Sequence, residues 1–156
     1  MKLLVTRHGE TQYNLEKKYY GRTDVKLDEL GLAQADELAE KLRATPIDYA
    51  IRSDLKRTQE TLAKVMAFHP ETKQIVEKGI DEMPFGIWEG LNADQVAALD
   101  PKTWDAWLKA PFDVTPSGAE PYRVFEKRVE ETLDHYVKAL PPDSCLLYTS
   151  PSPRDT

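Results

Sequence analysis

The chain opens on Lys2-Leu3-Leu4-Val5-Thr6, an apolar, β-prone run with no helical period, and turns at once to the polar Arg7-His8-Gly9-Glu10-Thr11. That switch predicts a buried strand that delivers polar side chains at its C-terminal end. From Asp28, a residue type suited to a helix N-cap, Leu32, Ala35, Leu38, Ala39 and Leu42 recur at helical spacing. Pro46 requires that helix to have ended before it. Tyr49-Ala50-Ile51-Arg52 predicts a second strand, and Ser53 is placed to cap a following helix with Leu55, Leu62, Val65 and Met66 on one face. Arg57 falls early in that helix.

Beyond His69-Pro70, the run Gln74-Ile75-Val76-Glu77 predicts a third strand, and Asp81 to Gly90 has the glycine, proline and aromatic content of a structured loop. Asn92 and Gln95 form a capping-box pattern for a short helix through Leu99. Trp104, Trp107 and Phe112 then sit in a proline-punctuated segment that reads as a lid. Tyr122, Phe125, Val129, Leu133, Tyr136, Val137 and Leu140 trace one face of a long helix that halts before Pro141-Pro142. Strands alternating with helices predict an α/β fold with a mostly parallel central sheet.

With 156 residues, 40% of them hydrophobic and 31% charged, the chain is expected to form one globular domain with a real core. Its 27 acidic and 21 basic side chains leave a net charge of -6 with no basic block, which disfavours nucleic acid and anionic membrane as partners. Any anion such a chain handles must be drawn by a local cluster. No apolar run reaches the length of a signal-peptide core or a membrane span. The single cysteine, Cys145, excludes an internal disulfide, and no cysteine and histidine spacing matches a zinc site. These features predict a cytoplasmic protein that works without a metal or other cofactor.

The polar cluster after the first strand carries the candidate chemistry. An imidazole with an unperturbed pKa of about 6.5 offers a free ring nitrogen to phosphorus near neutrality, so His8 can act as a nucleophile unaided. Arg7 and Arg57 are planar, permanently charged forks suited to a dianionic phosphoryl group, and Gly9 has no side chain to crowd the pocket. Glu82 lies near Met83, Phe85 and Trp88, which would partly desolvate it and raise its pKa. Asp81 is the rival carboxyl. Plainer readings exist: His8 as a satisfied polar residue, Arg57 as a solvated helix arginine paired with Asp54 or Glu60, Glu82 as a surface carboxylate. His69 and His135 read as surface or structural residues, and Trp88, Trp104 and Trp107 as packing.

The segment from Val5 through Arg7-His8-Gly9-Glu10-Thr11 to Asn14 resembles the signature of the histidine phosphatase superfamily, also called the phosphoglycerate mutase-like family. Further similar segments follow in the family's order: Tyr20-Gly21-Arg22 with Leu27 to Ala35, then Ser53 to Thr61, then Glu82 to Gly90. The resemblance covers Met1 to about Pro142 and implies a three-layer α/β sandwich. It also implies a phosphomonoesterase that hydrolyses a small phosphorylated metabolite through phosphohistidine at His8. Glu82 would be general acid and base, while Arg7, Arg57, Asn14 and the backbone around Gly21 would hold the phosphate. Phe85 to Gly90 resembles the small broad-specificity phosphatases and the α-ribazole phosphatases, which makes α-ribazole-5'-phosphate a candidate substrate. Phosphoglycerate mutase is the alternative. It needs extra cations, and from Gly79 to Ala110 only Lys102 and Lys109 are basic.

Members of the family carry a second active-site histidine, usually in a Ser-His-Gly-Gly stretch at the end of a strand that follows the long helix. Here Asp143 to Ser150 occupies that place, and Ser150 stands near where the histidine belongs. The run from Cys145 to Asp155 resembles the translation of a transposon-based sequencing-library adaptor. The expected organisation is therefore a histidine phosphatase domain over 1–142, incomplete at its C-terminus, and a non-native tail over 143–156. Cys145 to Thr149 is still expected to form a strand beside the first, because its residues are apolar and β-prone, with Pro151 to Thr156 hanging free. An inactive phosphoester-binding fragment is the competing outcome.

Overall fold

In the computed structural model, which describes residues 1–151, four strands form one parallel sheet in the order β1-β4-β2-β3. They are β1 (Lys2–Thr6), β2 (Tyr49–Arg52), β3 (Lys73–Val76) and β4 (Cys145–Thr149). The helices are α1 (Gln12–Leu15), α2 (Glu29–Leu42), α3 (Lys56–Met66), α4 (Ala93–Leu99), α5 (Pro101–Lys109) and α6 (Tyr122–Ala139).

Two apolar clusters, one on each face of the sheet, make the three layers. Ala39 of α2 and Leu62, Val65 and Met66 of α3 bury themselves against Ala50 and Leu147. Val129, Leu133 and Tyr136 of α6 pack on Ile51, Leu146 and Tyr148. Successive residues of β4 thus serve opposite clusters, and all five of its residues are buried. A strand covered on both faces reads as a continuous apolar run, which is what Cys145-Leu146-Leu147-Tyr148 is. The expected strand beside β1 is present, and it also pairs with β2, so this segment is the ladder between the two. Of the tail expected to hang free, residues 152–156 lie outside the described residues.

Local signals worked where side chains cap helices. Asp28 accepts the Gly31 N–H at 2.7 Å, and Asn92 and Gln95 make the reciprocal capping box. Ser53 does not cap α3. The N-cap is Leu55, without a side-chain bond, and the Ser53 hydroxyl lies 2.9 Å from that of Thr58, fastening the β2–α3 turn instead. The third strand begins at Lys73, one residue earlier than its apolar run suggests. The tryptophan segment contains α5, begun by Pro101 at the first helical position, where its missing N–H and fixed φ fit.

Because the strands are parallel, their C-terminal ends share one edge of the sheet. The chain leaves that edge as Arg7-His8-Gly9 after β1, as the turn into α3 with Arg57, as the segment from β3 to Glu82, and as Ser150 after β4, whose N–H donates to the Thr6 carbonyl at 2.8 Å. Crevices outside the carboxyl ends of strands are where open α/β sheets bind ligands.

Candidate active site

His8 sits two residues past β1 with its Nδ1 2.7 Å from the Gly9 carbonyl oxygen. A carbonyl only accepts, so Nδ1 carries the proton and, in the neutral ring, the lone pair is on Nε2. Burial pushes the His8 pKa down to about 4, and the charges of Arg57 and Arg7 push the same way against the Gly9 bond. Near pH 7 the ring is neutral. The turn is bolted to α3, since the Gly9 N–H donates to Thr61 Oγ1 at 3.0 Å and that hydroxyl donates to the Arg57 carbonyl at 2.7 Å. The space beside Gly9 is taken by the Gly31 backbone, against which any Cβ would collide. Close packing on α2, rather than room for a ligand, therefore demands a glycine there.

Arg57 is only 1% exposed, which rules out the solvated-helix reading. Its Nη2 donates to the Gly21 carbonyl at 2.8 Å and its Nη1 to the Thr23 carbonyl at 3.0 Å, while the guanidinium lies over the Tyr20 ring at 4.6 Å. Among the described residues no carboxylate forms an ion pair with it. A buried cation that meets, among the described residues, carbonyls and a ring face but no carboxylate favours an incoming anion. Glu60, the proposed surface partner, instead accepts the Leu27 N–H at 3.1 Å.

One cavity of about 430 Å³ gathers His8, Asn14, Arg57 and Glu82. The Asn14 side-chain oxygen accepts the Thr11 N–H and the Tyr20 hydroxyl, each at 3.0 Å, so what Asn14 offers the cavity is its NH2 donor end. Glu82 is buried, and its Oε1 accepts the Met83 N–H at 3.1 Å. Asp81 does not line the cavity. Burial pushes its pKa up to about 6, with the Asp54 carboxyl beside it acting in the same direction. Arg7 is exposed and lines a second cavity of about 270 Å³ that shares only His8 with the first. Gly21 serves the site through its carbonyl on Arg57, and its N–H donates to Glu89 at 2.8 Å.

Three features escaped the sequence reading. Glu89 accepts hydrogen bonds from Gly21, Thr23 and Phe85, so one carboxylate ties the loop that holds Arg57 to the loop that follows Glu82. Its place within the Phe85 to Gly90 motif was the available signal. Lys17 and Lys18 line the cavity, so its cations come from outside the 79–110 stretch. Lys17 holds a left-handed φ of 57°, and the Lys18 ammonium lies 3.3 Å from Glu16. Apart from Met83, the rest of the wall is aromatic, with Tyr19 and Tyr20, Phe85, Trp107, and Tyr122 and Phe125 drawn from four separate segments.

Fold and cavity together define a parallel α/β sandwich with a neutral histidine and a buried arginine at the carboxyl edge of its sheet. The chain belongs to the histidine phosphatase superfamily (branch 1), whose sequence profile matches residues 3–153. It is 32% identical over 130 residues to the adenosylcobalamin/alpha-ribazole phosphatase of Salmonella typhimurium, a match covering 83% of this chain and 64% of that protein. It is 33% identical over 121 residues to a 2,3-bisphosphoglycerate-dependent phosphoglycerate mutase of Gloeobacter violaceus, covering 76% of this chain and 55% of the relative. The chain thus spans less than two thirds of the length of these relatives. The crystal structure of the alpha-ribazole phosphatase from Shigella flexneri superposes with a TM-score of 0.89 at 27% identity, over 97% of this chain and 74% of the other. Among the described residues no helix is long and apolar enough to cross a membrane.

Proposed function

We propose that this protein is a cytoplasmic phosphomonoesterase that transfers the phosphoryl group of a small metabolite to His8 Nε2 and then to water. The observation that carries the proposal is a guanidinium 1% exposed, with no carboxylate partner among the described residues, in the same cavity as a histidine held neutral. Arg57 and the Asn14 amide bind the phosphoryl oxygens, and Arg7, which lines the neighbouring cavity on the other side of His8, is the third phosphate-binding residue of this reading. Glu82 protonates the departing alkoxide and, as a carboxylate, takes the proton of the water that splits phosphohistidine, so its proton count is restored over the cycle. α-Ribazole-5'-phosphate is the leading candidate substrate, since an aromatic base suits the aromatic wall and relatives bearing that name share the fold.

Two other readings have an observation each. Lys17 and Lys18 give the cavity the cations that a doubly anionic phosphoglycerate would require, which keeps mutase chemistry as the second reading. Ser150 at the end of β4, with residues 143–156 read as a non-native tail, favours an inactive phosphoester-binding fragment. The test is chemical. Incubated with a chromogenic aryl phosphate and quenched without acid, the chain is expected to carry phosphate that acid then releases, as from a phosphoramidate. Phosphate binding without turnover selects the inactive fragment. An acid-stable adduct on serine, or strict dependence of turnover on magnesium, overturns the histidine mechanism.

A further inference from the structure

We propose that Arg128 is a positioning residue for the general acid, an inference that rests on the reading of Glu82 given above. Arg128 is half-buried on α6, and its guanidinium is wholly engaged. Nε and Nη2 donate to the two carboxylate oxygens of Glu120 at 3.1 and 2.7 Å. Nη1 donates to the Gly79 carbonyl at 2.9 Å and, more weakly, to that of Lys78 at 3.5 Å, while Nη2 also donates to the Asp81 carbonyl at 3.0 Å. These bonds use a full set of guanidinium donors. Three of the acceptors are backbone carbonyls of the segment that runs into Glu82, the last belonging to the residue immediately before it.

Glu120 completes a bracket around the acid. Its side chain holds Arg128, and its backbone N–H donates to the Pro84 carbonyl at 3.2 Å, two residues past Glu82. The main chain is thereby fastened on both sides of Glu82, leaving little but side-chain torsions to place its carboxyl. The fastening matters because β3 ends at Val76 and the only regular structure before Glu82 is a single 3-10 turn, Lys78–Ile80. The same helix lends Tyr122 and Phe125 to the cavity wall, and the Arg128 guanidinium lies over the Phe125 ring at 5.3 Å. The leaving-group wall and the acid therefore share one frame. Misplacement of a reacting group by an ångström is enough to lower rates on the order of a hundredfold. A lysine, with three donors at one point, cannot reproduce the five bonds of Arg128 or its bidentate hold on Glu120.

The test compares Arg128→Met with Glu120→Gln in the 156-residue chain, because these remove charges of opposite sign from the same bracket. Both are expected to lower turnover of an alkyl phosphate by about tenfold or more while 4-nitrophenyl phosphate, whose leaving group needs no proton, changes by less than about threefold. Equal losses on the two substrates, or effects of opposite direction in the two variants, overturn the proposal. Should Arg128→Met fail to fold, Arg128→Lys keeps the charge but loses the fork and is expected to show the same alkyl-selective loss. Parent-like kinetics in that variant count against positioning. If the parent chain turns over neither substrate, the functional reading has failed, and carbon-13 NMR of the Glu82 carboxyl, assigned by its absence in Glu82→Gln, decides this inference separately. Positioning shifts the titration midpoint in the same direction in Arg128→Met and Glu120→Gln by about half a pH unit or more. Opposite shifts, or none, overturn it.

Discussion

Replacing His8 with alanine is expected to lower turnover of an aryl phosphate on the order of a thousandfold or more, and to remove the acid-labile phosphate from the quenched protein. Both effects follow from one atom, the Nε2 lone pair that the Gly9 carbonyl exposes by keeping the ring proton on Nδ1. A rescue of trapping by another residue in His8→Ala would mean that the nucleophile lies elsewhere. The low pKa sharpens the expectation. In the parent chain the acid limb of kcat/KM should fall near pH 4, because the free protein keeps His8 neutral down to about that value. An NMR titration of the His8 ring in the free protein with its midpoint near 6.5 would mean that the ring is not desolvated. Stability carries the matching sign. The folded pKa lies below the unfolded value of about 6.5, so the contribution of neutral His8 is complete above that pH and is lost as the pH falls toward about 4. Across that window the loss is on the order of 3 kcal/mol. Urea unfolding of His8→Ala should lack this component.

Glu82→Gln is expected to separate substrates by leaving group. Glutamine has nearly the same shape but no proton to give, so an alkyl phosphate should lose about a hundredfold or more in rate while an aryl phosphate with a good leaving group loses far less. The two substrates need the nucleophile equally, which is why His8→Ala does not distinguish them. Uniform loss in Glu82→Gln would assign the carboxylate a structural role, and no loss with either substrate would remove it from the reaction. Asp81→Asn is the control for position. Asp81 adjoins Glu82 in sequence but does not line the cavity, so the substitution should leave the ratio of alkyl to aryl turnover unchanged.

The supersecondary plan was legible because it rests on local periodicity and on caps made within a few residues. Lys2–Thr6, Asp28 with its helix, the Asn92 and Gln95 box and the long helix from Tyr122 are each specified by neighbours in the chain. The burial expected of Lys2–Thr6 is not met, because it is an end strand of the sheet with Leu3 and Val5 exposed. Ser53 misled for the same reason. A serine before a helix is a good cap in isolation, and only the packing of Thr58 shows that its hydroxyl is already used. The candidate residues were legible in kind, since the histidine, the two arginines and the carboxyl are present in the sequence whatever the fold does with them.

What these residues do relative to one another was decided by tertiary structure. His8, Asn14, Arg57 and Glu82 meet because parallel strands present their carboxyl ends on one edge. Whether Arg57 is a solvated helix residue or a buried cation depends on Gly21 and Thr23, more than thirty positions away. Lys17 and Lys18 enter the cavity, Arg7 lines its neighbour, and Glu89 and Arg128 fasten loops by backbone groups that carry no side-chain signature. By itself the sequence determined which elements form and which chemical groups are present, because periodicity, caps and side-chain identity are local properties. Only the tertiary structure decided which groups share a cavity, which charges are buried and which carbonyls are held. Those depend on long-range packing, and burial sets the protonation state of His8 and the isolation of the Arg57 charge.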